Sequence, residues 1–130
     1  MNAQDAADLT QRVIGCAIEV HRTLGPGLLE WVYETCLCDE LSEVGLKFAR
    51  QQRFAVDYKR RRLDRAFQLD LIVEQILVLE IKSVASLHPI HEAQLRTYLR
   101  LSRHPIGLLL NFNCVRLKDG LRRLDLQPIR

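Results

Sequence analysis

Two stretches of this sequence, Ile76–Val84 and Ile106–Phe112, are apolar on both alternating faces over much of their length. Strands that read this way are covered on both sides, as in the middle of a sheet. Between them, Pro89 opens a helical run reaching about Ser102, and proline suits a first turn because its missing N–H has no partner to lose there. A buried strand, a crossover helix and a second buried strand make a right-handed βαβ unit, so the sequence predicts two parallel central strands.

The flanking segments fill out the sheet. Leu9, Val13, Cys16/Ala17, Val20 and Leu24 recur every three to four positions and predict a helix over Ala6–Leu24, stopped by Gly25-Pro26-Gly27. A second helical run, Leu29 to Val44, ends at Gly45, a residue suited to a C-terminal cap. The period then drops to two: Phe48 to Tyr58 reads as a strand, Lys59–Arg62 as a charged turn, and Arg65–Val73 as a strand closed by Glu74-Gln75. The tail, Cys114–Lys118 and Leu121–Leu126 around Asp119-Gly120, reads as a hairpin. The expected fold is α/β, a mixed sheet flanked by helices in the order α-α-β-β-β-α-β-β-β. At 130 residues, with no repeat or linker, residues 1–130 fit one domain.

Composition narrows the function classes. The net charge is only +3, but it is segregated: residues 1–45 carry 2 basic and 8 acidic side chains, the remainder 17 and 8. The basic part could face a polyanion. No stretch approaches the length of a membrane span and the first residues are polar and acidic, so the expectation is a cytoplasmic protein without membrane contact. Cys16, Cys36, Cys38 and Cys114 form no CxxC pair and read as reduced thiols rather than a zinc site. His91-Glu92 lacks the second histidine of a zinc protease, and Gly25-Pro26-Gly27 lacks the Gly-Lys-Ser/Thr of a phosphate-binding loop.

One constellation carries chemistry. Folding the chain at Glu74-Gln75 brings Asp70 roughly opposite Glu80, and Lys82, two residues on, shares the face of Glu80. A strand-end ion pair open to water would explain Glu80 and Lys82 alone. With Asp70 opposite, the charges need mutual pairing or a metal ion in otherwise apolar surroundings. Two carboxylates and a nearby backbone carbonyl are hard oxygen donors suited to Mg²⁺ or Mn²⁺. Such a cation polarises a phosphodiester and acidifies a bound water, and Lys82 could hold the attacking oxygen or steady the transition-state charge.

Asp70 followed by Glu80-Ile81-Lys82 resembles the D…(D/E)xK signature of the PD-(D/E)XK nuclease superfamily. Gly27-Leu28-Leu29-Glu30-Trp31-Val32-Tyr33 matches the GxxExxY motif of one bacterial and archaeal branch, and His91–Tyr98 is similar to that branch, its Gln94…Tyr98 part resembling the QxxxY motif of RecB-like nucleases. The resemblance runs from about Leu24 to Leu124. It implies a restriction-endonuclease-like fold and Mg²⁺-dependent (or Mn²⁺-dependent) phosphodiester hydrolysis. It further implies Asp70, Glu80 and Glu30 as metal ligands, Lys82 as the catalytic lysine, and Gln94 and Tyr98 flanking the site. Gln68 departs from the branch, where arginine is frequent.

Several of these residues also have plainer readings. Glu30 suits the first turn of any helix, Tyr33 could be a core aromatic, and Gln94 and Tyr98 an ordinary i,i+4 pair. Lys59, Arg60, Arg61 and Arg62, with Arg50, Arg53 and Arg65, could be a solvated edge, or could hold a phosphate backbone. The favoured function is a metal-dependent nuclease acting on nucleic acid, DNA foremost, with structure selectivity, action as a homodimer or direction by a partner protein as the expected ways of choosing its target. The alternative is a non-catalytic nucleic-acid- or protein-binding adaptor that keeps the fold.

Overall fold

The computed structural model describes residues 2–126. Asn2 caps the first helix, its Oδ1 accepting from the Asp5 N–H at 2.8 Å, so α1 runs Ala3–Leu24 and starts a turn earlier than its apolar period does. Helix α2, Glu30–Glu43, ends as its sequence predicts: Gly45 turns left-handed at φ 78° and the Leu46 N–H closes on the Leu41 carbonyl at 2.9 Å. Then come β1 (Phe48–Tyr58), β2 (Arg61–Val73), β3 (Leu77–Lys82), α3 (Pro89–Ser102), β4 (Ile106–Asn111) and β5 (Leu121–Asp125). The sheet order is β1-β2-β3-β4-β5, with β3 and β4 parallel and every other neighbouring pair antiparallel. The crossover between the two apolar strands is α3, as the sequence predicts.

Three expectations need correction. First, the charged turn is only Lys59-Arg60; Arg61 and Arg62 already pair with Tyr58 and Asp57, because the β1–β2 ladder continues outward past a register shift near Val56. Second, β3 stops at Lys82 because the Asn111 side chain takes both polar groups of Val84, bonding its N–H and its carbonyl at 3.0 Å each. Third, Cys114–Lys118 is no strand. The Cys114 thiol donates to the Asn111 and Arg116 carbonyls at 3.1 Å, folding the chain back locally, and Leu117–Gly120 forms a single 3-10 turn that delivers β5 to β4. The observed order is therefore α-α-β-β-β-α-β-β, with a 3-10 turn in place of the expected fifth strand.

The helices sandwich the sheet. On one face α1 and α2 bury Val13, Ala17, Leu37 and Leu41 against Leu71, Val73, Leu79, Ile81, Leu108 and Leu110. On the other, α3 buries Leu95 and Leu99 against Ile72, Val78 and Leu109. The four cysteines are free thiols, and no helix of the described residues is long and apolar enough to cross a membrane.

Two glycines should respond oppositely to alanine. A Cβ on Gly120 would stand 2.3 Å from the Asn111 carbonyl oxygen, a backbone atom that cannot yield, whereas one on Gly15, inside α1, would meet nothing within 4 Å. Gly120→Ala is expected to cost about 1–3 kcal/mol, and Gly15→Ala to add about 0.5–1 kcal/mol. Urea unfolding of the two variants reads both signs.

Candidate active site

The β2–β3 ladder runs from Val73↔Leu77 to Leu71↔Leu79, and its next rung would be Asp70↔Glu80. At that rung the side chains take over the backbone's bonds. The Asp70 N–H donates to Glu80 Oε1 at 3.2 Å, and the Ile81 N–H donates to Asp70 Oδ2 at 2.8 Å. Each carboxylate thus holds the opposite strand's main chain where the strands part, which is the juxtaposition expected from the sequence.

This pair is electrostatically loaded. Burial first, then the charge of Asp70, push Glu80 up to about 8, against the pull of the Asp70 N–H and Lys82. Asp70 is also raised, first by burial and then by the charge of Glu34, while the Ile81 N–H, Gln51 and Lys82 draw it down. Lys82, half-buried at the end of β3, acts on both through space and makes no ion pair among the described residues.

Helix α2 reaches the same strand end. Tyr33 is fully buried and stacks on Phe112 with centroids 4.6 Å apart, and its hydroxyl donates to the Gly25 carbonyl at 2.6 Å and accepts from the Leu28 N–H at 3.0 Å. The loop so fixed puts the Leu28 carbonyl 2.6 Å from Ser83 Oγ, and Glu30 Oε2 3.1 Å from the Ser83 N–H. Glu30 therefore sits one residue beyond Lys82, exposed, with its carboxylate on that amide. The tyrosine serves its motif indirectly: it holds the loop that positions Glu30.

On the opposite face, Tyr98 stacks on Phe67 at 4.8 Å, and burial followed by the charges of Glu80 and Asp70 raise its pKa, which places it in the field of the pair. Gln94, one turn earlier, is exposed and forms no side-chain hydrogen bond among the described residues. His88 and His91 are engaged as the cap of α3: His88 Nδ1 accepts from the Ile90 N–H, and His91 Nδ1 from the His88 N–H, each at 3.0 Å. The basic residues lie apart from the acids. Arg61 precedes Asp70 by nine strand positions, about 30 Å at full extension. Asp57–Ala66 is exposed throughout, so Lys59, Arg60, Arg61 and Arg62 top an exposed arm.

Sequence reasoning missed Glu34 and Gln51. Glu34 is buried on α2, where Arg50 Nε meets its Oε2 and Gln51 Nε2 its Oε1, each at 2.6 Å. Gln51 Nε2 also lies 3.4 Å from Asp70 Oδ1, and its Oε1 accepts from Gln68. Gln51 adopts φ 53°, a left-handed conformation that costs a side-chain-bearing residue about 1–3 kcal/mol. Glu34 lies on the seam Glu30, Glu34, Leu37, Leu41, and an acid on the core stripe of a helix was the available signal.

Among the described residues no three His, Cys, Asp or Glu side chains stand together as a metal cage. Asp70 and Glu80 nonetheless fit a divalent cation. They are hard oxygen donors, and a buried pair in which one carboxyl is held near 8 requires a proton or a cation to neutralise it. No curated protein and no solved structure matches the chain. The model of one family does, that of the PD-(D/E)XK nuclease superfamily. The match covers residues 7–124, nearly the whole sequence, and the chain belongs to that superfamily.

Proposed function

We propose that this protein is a Mg²⁺- or Mn²⁺-dependent nuclease that hydrolyses phosphodiester bonds of nucleic acid, DNA foremost, with water as the nucleophile. The observation that carries the reading is the mutual grip of Asp70 and Glu80 on each other's strands with Lys82 two residues on. Superfamily membership supports a nuclease-type function, and the Gly27–Tyr33 motif supports the GxxExxY branch.

A divalent cation bound here supplies Lewis-acid polarisation of the phosphate and a more acidic water. Asp70 and Glu80 would hold it, and Glu30, at the start of α2 with its carboxylate on the Ser83 N–H, would have to leave that amide to complete the shell. Lys82, at the end of β3, would steady the attacking oxygen and the charge that grows in the transition state. Gln94 and Tyr98 orient the nucleotide from α3. Lys59, Arg60, Arg61 and Arg62 on the exposed arm hold the phosphate backbone at a distance from the cut.

Purified protein incubated with labelled single-stranded, double-stranded and branched DNA, and with RNA, in Mg²⁺, Mn²⁺ or EDTA tests the reading. Cleavage is expected with metal and not with EDTA, and Lys82→Ala is expected to lower the rate by about 10²-fold or more while leaving binding in place. Protein that binds metal and nucleic acid but cuts nothing is an adaptor, and the reading falls.

The acid pair also sets a pH dependence. Glu80 has a pKa of about 8 when folded and near 4.5 otherwise, so the folded state holds its proton more tightly. The resulting stabilisation is complete below about 4.5 and is lost as pH rises through about 8. Metal-free protein is expected to melt at a lower temperature at pH 8.5 than at pH 6, and Mg²⁺ to raise the melting temperature more at the higher pH. Thermal unfolding at both pH values with and without Mg²⁺ measures this.

The arm has its own signature. Alanine at Lys59, Arg60, Arg61 and Arg62 is expected to weaken binding across sequences alike. It should also flatten the slope of log binding constant against log salt by about 0.9 for each duplex phosphate that the protein no longer neutralises. An unchanged slope would remove these residues from the interface.

A further inference from the structure

We infer that Glu34 is a positioning residue for the nuclease site: by gripping two consecutive residues of β1, Arg50 and Gln51, it forces the strand irregularity that frees Asp70 from the sheet and aims its carboxylate at β3. The inference rests on the nuclease reading only for what Asp70 then does.

Successive side chains of a regular strand point to opposite faces. Arg50 and Gln51 are successive, yet both bond the same carboxylate, Arg50 Nε to Glu34 Oε2 and Gln51 Nε2 to Glu34 Oε1, each at 2.6 Å. The alternation must therefore fail between them, and it does: Gln51 has φ 53°. Arg50 pairs with Leu71 and Gln52 with Leu69, but the Gln51 and Asp70 pair between them is missing from the ladder.

The break passes through to β2. Leu71 and Val73 face α1 and α2, whereas Leu69, two positions from Leu71 and so expected on the same side, packs with Ile72 and Leu95 toward α3. The strand's alternation thus reverses at Asp70. Out of the ladder, Asp70 gives its N–H to Glu80 and accepts the Ile81 N–H, while Gln51 Nε2 approaches its other oxygen at 3.4 Å. Arg50 secures the arrangement from outside, its Nη2 donating to Thr35 Oγ1 at 2.8 Å. The path from α2 to the site is thus Glu34, Gln51, Asp70.

The test uses the full chain with two readouts, hydrogen exchange of the Ile81 amide and Mn²⁺ affinity by titration calorimetry, on wild type, Glu34→Ala, Glu34→Gln and Gln51→Gly. Glycine holds a left-handed φ without strain, so Gln51→Gly removes the side-chain link while sparing the fold. Glu34→Ala and Gln51→Gly are expected to speed Ile81 exchange at least about tenfold, with Leu79 and Val73 unchanged, and to weaken Mn²⁺ binding on the order of tenfold. Glu34→Gln, which keeps an oxygen for Gln51, is expected to restore much of both, a rescue that general loss of packing would not show. Should Glu34→Ala fail to fold, Gln51→Gly decides. Ile81 exchange unchanged in Gln51→Gly overturns the inference. Wild type that binds no Mn²⁺ would instead overturn the metal-dependent reading, with Ile81 exchange still deciding the positioning role.

Discussion

Where β2 and β3 separate, two carboxylates take the place of a rung of backbone hydrogen bonds, and the rest of the site depends on that exchange. A sheet that simply ended there would leave the Asp70 and Ile81 amides to water, with the acids free to rotate. Instead each acid is fixed by an amide of the opposite strand, so both side chains are ordered by the same bonds that hold the strand ends. The arrangement costs desolvation of two like charges, and the protein meets that cost at the end of its most apolar strands, whose side chains are buried on both faces. A strongly stabilised β3 allows the last turn of its ladder to be electrostatically unfavourable.

Helix α2 joins the pair to the rest of the chain at two heights. Its first residue, Glu30, reaches the amide after Lys82, and one turn on Glu34 reaches β1. Tyr33, between them, carries no charge yet fixes the approach of both by tying the Gly25–Leu28 loop to the core through Phe112. The GxxExxY pattern is thereby a physical unit: a glycine loop that turns, an acid that starts the helix, and an aromatic one turn later that holds the loop in place. On the other face, Phe54 stacks on Phe67 and Phe67 on Tyr98, joining the long β1–β2 hairpin to α3.

What the sequence made legible was whatever depends on local pattern or on symmetry about a turn. The apolar runs Ile76–Leu79 and Ile106–Leu110 specify central strands, Pro89 and Gly45 mark helix ends, and Glu74-Gln75 sets the register that opposes Asp70 to Glu80. What stayed hidden depends on contacts between segments distant in sequence. Glu34 reads as a polar helix residue until β1 is laid beside it, and nothing about Gln51 announces a left-handed backbone, since glutamine has no preference for it. The tail misled for a related reason. Asp119-Gly120 is a strong hairpin signal by composition, but the bonds from Cys114 and Asn111 fold the preceding segment onto β4 and use Gly120 for a close backbone approach instead.

The location of the charges argues for a division of labour within the sheet. The acids whose ionisation is perturbed, Asp70 and Glu80, cluster where the field of one is felt by the other. The basic side chains of the hairpin tip are exposed and gain nothing from the core. Groups of the first kind are sensitive to a cation and to pH because water cannot screen them; groups of the second kind are sensitive to salt because it can. On the nuclease reading, the two sets therefore govern separate steps. The arm determines how long a polyanion stays, and the pair determines what happens to a phosphate once it is there. β2 carries members of both, Arg61 and Arg62 in its exposed outer part and Asp70 where side-chain alternation reverses near its buried end.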